Sequence, residues 1–248
     1  MDFLLSDYIT SILIFFGAVL YSSVGHGGAS SYIAIMSLMG TPVGEIKPIG
    51  LVLNIIVSSV GSCRFIKNKL FSYKVFLPLV IGSVPAAFLG GYIELSSEVY
   101  RPLVGVVLLF AGFQFLFNIF KNLKTKSTKH CNPYVAILVG ITIGLLSGLT
   151  GTGGGIFLSP IIVFLGWTTV KSASGTAAAF ILFNSIAGLL GNFVSVNLIS
   201  NTIFLYSFAV FVGVLLGTTL GIKVLSEYGV KKALGLVIVL AGFKFILT

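Results

Sequence analysis

The stretch Gly148-Leu149-Thr150-Gly151-Thr152-Gly153-Gly154-Gly155-Ile156-Phe157-Leu158-Ser159-Pro160 lies inside an apolar run that extends from 134 to 168. One membrane crossing takes about 20 residues of helix, so this run is too long for a single span. Residues without a Cβ give the backbone a freedom that a continuous helix does not use. The run therefore predicts two helical pieces around a non-helical turn at 151–155, the second piece starting near Gly155. A second run, 8–40, is interrupted at 25–28 by Val24-Gly25-His26-Gly27-Gly28 and predicts a new helix from near Ala29.

The two interruptions belong to an internal duplication. Val24-Gly25-His26-Gly27-Gly28 aligns with Thr150-Gly151-Thr152-Gly153-Gly154, 126 residues later. Leu109-Phe110-Ala111-Gly112-Phe113 matches Val239-Leu240-Ala241-Gly242-Phe243, and Gly82 and Gly90 match Gly213 and Gly221. After each broken run come three apolar stretches, at about 48–66, 74–93 and 101–120 and at about 172–192, 202–222 and 232–247. The chain thus divides into a first membrane repeat, 1–120, a basic linker, 121–133, and a second membrane repeat, 134–248. Transporter folds commonly carry such repeats.

Composition sets the class. Of 248 residues, 56% are hydrophobic and 8% charged, against about 25% charged in a soluble domain. The mean hydropathy is +1.11. These values exclude a soluble enzyme, a disordered regulator and a nucleic-acid binder, and indicate an all-α, polytopic membrane protein. The net charge of +9 is accounted for by loop lysines that set orientation. Cys63 and Cys131 form no disulfide framework and no metal or redox pattern. Asp2 and Asp7, with no Lys or Arg, precede the first apolar run, so the N-terminal stretch reads as mature chain rather than secretory signal.

Loop charge indicates how the copies face. Arg64, Lys67, Lys69 and Lys74 lie between the second and third pieces of the first copy, whereas the equivalent loop of the second, 193–201, carries no charge. The next loop reverses this, with Glu94, Glu98 and Arg101 in the first copy against Lys223, Glu227, Lys231 and Lys232 in the second. The linker adds Lys121, Lys124, Lys126 and Lys129. Cytoplasmic loops retain Lys and Arg, so the copies are expected to be inverted. Inversion needs an odd number of crossings per copy, met by three full spans plus a broken, re-entrant segment. Every Lys and Arg except Lys47, Arg101 and Lys244 then faces the cytoplasm, and both termini lie outside it.

Non-helical backbone at membrane depth is tolerated where protein buries it or where it lines a wet cavity. Two breaks at matching positions of inverted halves should meet near the midplane, where transporters of this design bind substrate. The first N–H groups of a helix lack internal partners and carry partial positive charge, so two converging N-termini make an anion site. Gly25, Gly27, Gly28, Gly151, Gly153 and Gly154 would present amides. His26, Ser30, Thr150 and Thr152 would add side-chain donors, and Ser159 is a further hydroxyl nearby. Asn54 and Asn184, in equivalent helices, would close the site. The structural alternatives are glycine packing between helices and asparagine hydrogen bonds across them. Pro48 is expected in the first turn of its span, and Pro160 is expected to kink its half-helix.

No carboxylate lies mid-span, which argues against a metal-cation transporter. No metal site, catalytic residue or cofactor is indicated, and no GxxxxGK[ST] motif for ATP occurs. The partners implied are a small anion and the lipid bilayer, not nucleic acid; homo-oligomerisation stays open.

The residues 148–160 resemble the GxGGGxxxxP signature of the TauE/SafE sulfite-exporter family, and Gly25-His26-Gly27-Gly28-Ala29 is similar to its first-half version. Ala29 and Ala34 replace the third glycine and the proline there. Lys47-Pro48 with Asn54, and Gly175-Thr176 with Asn184, also resemble the family's second helix in each half. The resemblance spans nearly the whole chain. It implies secondary transport of small sulfur-containing anions, such as sulfite, thiosulfate, sulfoacetate and related organosulfonates, across the bacterial inner membrane. An anion channel on the same scaffold is the first rival. An intramembrane hydrolase using Ser147 or Ser159 with His26 is the second.

Overall fold

The computed structural model describes residues 3–117, 129–223, 238–240 and 242–247. Its helices are α1 (Leu5–Ser23), α2 (Ala29–Leu38), α3 (Val43–Lys67), α4 (Tyr73–Tyr92), α5 (Ser97–Phe117), α6 (Pro133–Thr150), α7 (Gly155–Phe164), α8 (Val170–Gly191) and α9 (Thr202–Lys223). A short 3-10 turn, Phe193–Leu198, joins α8 to α9. Among the described residues, α1, α3, α4, α6, α8 and α9 are long and apolar enough to cross a membrane. The chain is an all-helical, polytopic membrane protein. Most of the basic linker lies outside the described residues, as do Asp2, Glu227, Lys231 and Lys232.

Both broken runs divide as the glycines predict, with α2 starting at Ala29 and α7 at Gly155. Each of these short helices has 10 residues, a rise of about 15 Å, or half the hydrocarbon core. Their ends match as well. Gly40 and Gly166 take positive φ, and the following N–H groups, of Thr41 and Trp167, reach back to Met36 O and Ile162 O at 2.9 and 3.0 Å. These are the 6→1 bonds of a Schellman stop. Pro48 departs from expectation: α3 begins earlier, at Val43 after Pro42, which puts Pro48 in the second turn.

Helix directions follow from the packing. Ser11 hydroxyl donates to Leu205 O at 3.4 Å, Gly213 sits against Ala18 and Gly221 against Ser23, so α1 and α9 run the same way. Gly44 lies beside Leu198, and Arg64 Nη1 donates to Leu215 O at 2.8 Å, so α3 runs with α9 too. Since α1 and α3 are parallel, α2 carries the chain back between them. The other half repeats the logic. Gly140 lies against Leu79 and Gly148 against Ala87, while Ser72 N donates to Thr176 Oγ1 at 3.2 Å and Gly191 meets Phe88. Helices α4, α6 and α8 are therefore parallel, and α7 is the return. By contrast α3 and α8 are antiparallel, with Leu51 against Gly188 and Ala178 against Gly61.

The fourth helices are exchanged between copies. One apolar core gathers Ile14, Tyr32, Ile49, Leu108 and Val210 from α1, α2, α3, α5 and α9. The other gathers Leu79, Ile143, Ile162 and Phe180 from α4, α6, α7 and α8. At the α4–α6 contact, glycines let backbones touch, as small residues do in membrane interfaces. Apolar side chains such as Leu77, Ile81, Phe204 and Phe208 face outward, as lipid contact requires.

Candidate functional site

Asn54 stands at the centre of α3, fully buried, and both glycine breaks come to it. Gly27 abuts its Oδ1 and Gly153 its Nδ2, and Ile181 of α8 closes on both glycines. A Cβ at either glycine would fall on the amide. Gly28 and Gly154, the residues before α2 and α7, have φ of 97° and 76°, a region that favours glycine.

At the first break some of the N–H groups are used, while those of Gly27, Gly28 and Ser30 make no hydrogen bond to any described residue. The N–H groups of Gly25 and His26 reach back to Ser22 O and Tyr21 O, finishing α1. Ala29 N donates to Asn54 Oδ1 at 3.1 Å. Tyr32 hydroxyl donates to Gly27 O at 2.9 Å, and Ser31 hydroxyl to Gly28 O at 2.8 Å. His26 Nδ1 is 3.1 Å from Val24 O, and its ring packs edge-on against Tyr21. Ser30 is buried on the same side. This histidine serves its own turn.

The second break keeps its donors open. Gly151 N bonds Ser147 O, but the N–H groups of Thr152, Gly153, Gly154, Gly155 and Ile156 make no hydrogen bond to any described residue. Beside Gly153 lie two more groups without a partner, Asn54 Nδ2 and the Ser185 hydroxyl. Both residues are fully buried. Thr150 and Thr152 share a hydrogen bond of 2.9 Å between hydroxyls, and Thr150 also donates to Leu146 O at 2.7 Å.

Asn184 behaves differently from its counterpart. Its Nδ2 donates to Phe180 O in its own helix at 2.9 Å, and its buried Oδ1 has no partner. The structure thus brings together Gly27, Asn54 and Gly153, with Thr152 and Gly154 beside them in sequence, and adds Ser185. That serine was legible only as the neighbour of Asn184. The hydroxyls of Ser147 and Ser159 are buried without partners, so neither is paired with His26 as a nucleophile would be.

Buried amides that point at no protein acceptor are costly, at about 1–3 kcal/mol each, unless a ligand or water accepts from them. The family description "Sulfite exporter TauE/SafE" matches residues 10–245. The chain belongs to the TauE/SafE family. It is 34% identical over 238 residues to a "Probable membrane transporter protein" of Sinorhizobium fredii, covering 95% of this chain and 96% of that one. It is 25% identical to one of Bacillus subtilis, covering 94% and 96%, and 26% identical to one of Methanocaldococcus jannaschii, covering 76% and 73%. No solved structure matches. As a TauE/SafE protein the chain is a membrane transporter.

Proposed function

We propose that this TauE/SafE protein is a secondary transporter of small sulfur-containing oxyanions, such as sulfite, thiosulfate or organosulfonates, working by alternating access around the paired breaks. The observation that carries this reading is the second break, where the N–H groups of Thr152 to Ile156 have no protein acceptor and Gly153 packs beside Asn54 Nδ2 and the Ser185 hydroxyl, which have no partner either. Open donors gathered at the start of helix α7 suit a compact oxyanion whose charge is spread over several atoms. Gly151, Gly153 and Gly154 present backbone, Thr150 and Thr152 supply hydroxyls, and Asn54 joins the two halves. Gly25, Gly27, Gly28, Ser30 and His26 form the opposing wall, and Asn184 offers its unpaired oxygen from α8.

In this reading the two copies are inverted within a bacterial inner membrane, with the basic loops cytoplasmic. The antiparallel α3 and α8 and the re-entrant turns at α2 and α7 support it, as does the opposite loop charge of the copies. The short helices are the moving parts, each hinged at a glycine end.

A flux assay in proteoliposomes tests the reading, using sulfite, thiosulfate, sulfate and organosulfonates in turn. Saturable flux of a sulfur oxyanion is expected. Unitary conductance steps would favour the channel, and failure of every anion to move would remove the reading.

A further inference from the structure

A second polar space lies on the face where α3 begins. A cavity of about 210 Å³ is lined by Lys47, Glu94, Ser97, Tyr100, Asn192 and Ser195, with apolar neighbours. One water needs only about 10–15 Å³ of such space, so a small hydrated ion fits. Lys47 is 9% exposed and Asn192 is 4% exposed. The Asn192 Nδ2 has no hydrogen-bond partner.

Lys47 donates to Gly91 O at 3.2 Å, at the C-terminal end of α4, where a cation is favourable. An ammonium has three donors, however, and Gly91 takes one. Glu94, exposed on the loop after α4, is the carboxylate lining the same cavity. The cavity wall continues into the second break. Gly151 packs on the backbone and stem of Lys47, and Tyr100 hydroxyl donates to Thr150 O at 3.3 Å. Along α3, Lys47 stands two turns before Asn54, and Gly151 packs against the first and Gly153 against the second. At the other break the position of Lys47 is taken by Ser174, which meets Gly25. The residue packed on the glycine is thus a cation at the second break and a hydroxyl at the first.

We propose that this cavity is an anion vestibule, in which Lys47 and the Asn192 amide hold a small oxyanion before it passes to the amides of the second break, while Glu94 competes for the same lysine. The proposal rests on the second break being the transport path. It adds a binding step that favours anions arriving at the α3-start face.

Two measurements on the full-length protein test it: sulfite flux in proteoliposomes, and sulfite binding in detergent by the shift in melting temperature. Lys47→Gln is expected to raise the half-saturating sulfite concentration at least about tenfold, as loss of a charged hydrogen-bond donor does, with Lys47→Arg restoring most of it. Glu94→Gln, at an exposed position, is expected to lower that concentration about two- to fivefold, the range of an exposed charge pair. Gly153→Val is expected to stop flux yet keep a sulfite-dependent shift that Lys47→Gln then removes. Unchanged half-saturation in Lys47→Gln with flux intact, or a raised value in Glu94→Gln, overturns the vestibule alone. Absence of both flux and binding for sulfite, thiosulfate and organosulfonates alike in the unmodified protein overturns the transport reading beneath it.

Discussion

At the first break, Asn54 accepts from Ala29 N and the hydroxyls of Tyr32 and Ser31 reach the carbonyls of Gly27 and Gly28. At the second, the equivalent helix start is Gly155, and no side chain accepts from its N–H or from those of Thr152 to Gly154. The two breaks share helix length and the left-handed glycine before the helix. They differ in what satisfies the donors. Protein accepts from the N–H groups of Gly25, His26 and Ala29 at one, and from that of Gly151 alone among the equivalent groups at the other. The two breaks thus share a backbone form and differ in their polar complement, which makes the second the richer in open donors.

The largest effect is expected at Gly153, whose φ is 76° and which abuts Asn54, Ile181 and Ser185. Gly153→Val should reduce flux by at least about a hundredfold, since it strains the backbone and fills the site, with membrane insertion intact by protease protection. Gly40 is the control, with φ of 84° and nothing near it; Gly40→Ala should keep flux within about threefold, because only strain is added. Equal losses would mean that backbone strain alone accounts for the effect.

Asn54 and Asn184 should separate next. Asn54→Ala leaves Ala29 N without its acceptor and should cost about 1–3 kcal/mol of stability, read as a lower melting temperature in detergent, with flux down about tenfold. Asn184→Ala removes a bond within one helix and should cost less than about 1 kcal/mol. Costs in the reverse order would contradict the assignment of Asn54 as the bridge.

A smaller change is expected at Ser185, where the hydroxyl has no partner to lose. Ser185→Ala should leave the melting temperature in place and raise the half-saturating anion concentration about two- to fivefold, the range of one neutral hydrogen bond. A stability loss without an affinity change would make it a packing residue. Least of all should change at His26, whose Nδ1 serves Val24 O. His26→Gln should leave the pH profile of flux unaltered, and a displaced profile would give the ring a part in proton coupling instead.

Much of this was readable from residues. Glycine without a Cβ marks the breaks and the αL caps directly, so Ala29 and Gly155 emerge as helix starts from spacing alone. The matched Asn54 and Asn184 also announce themselves as polar groups at depth. Their unequal roles do not, because whether an amide bridges two breaks or bonds its own turn depends on helix register across the bundle. Gly82, Gly90, Gly213 and Gly221 read as marks of duplication, and the structure shows them as contacts with α6 and α1. Lys47 reads as an exception to the charge rule. Its burial beside Gly151 and a polar cavity comes from tertiary packing of α4 and α5, which no local pattern encodes.

The central claim is that the amides of the second break hold the transported sulfur oxyanion. Its most direct test is sulfite flux into proteoliposomes holding either the unmodified protein or Gly153→Val, at matched protein content and with insertion verified. Saturable flux is expected in the first and background flux in the second. Equal, saturable flux in both would contradict it.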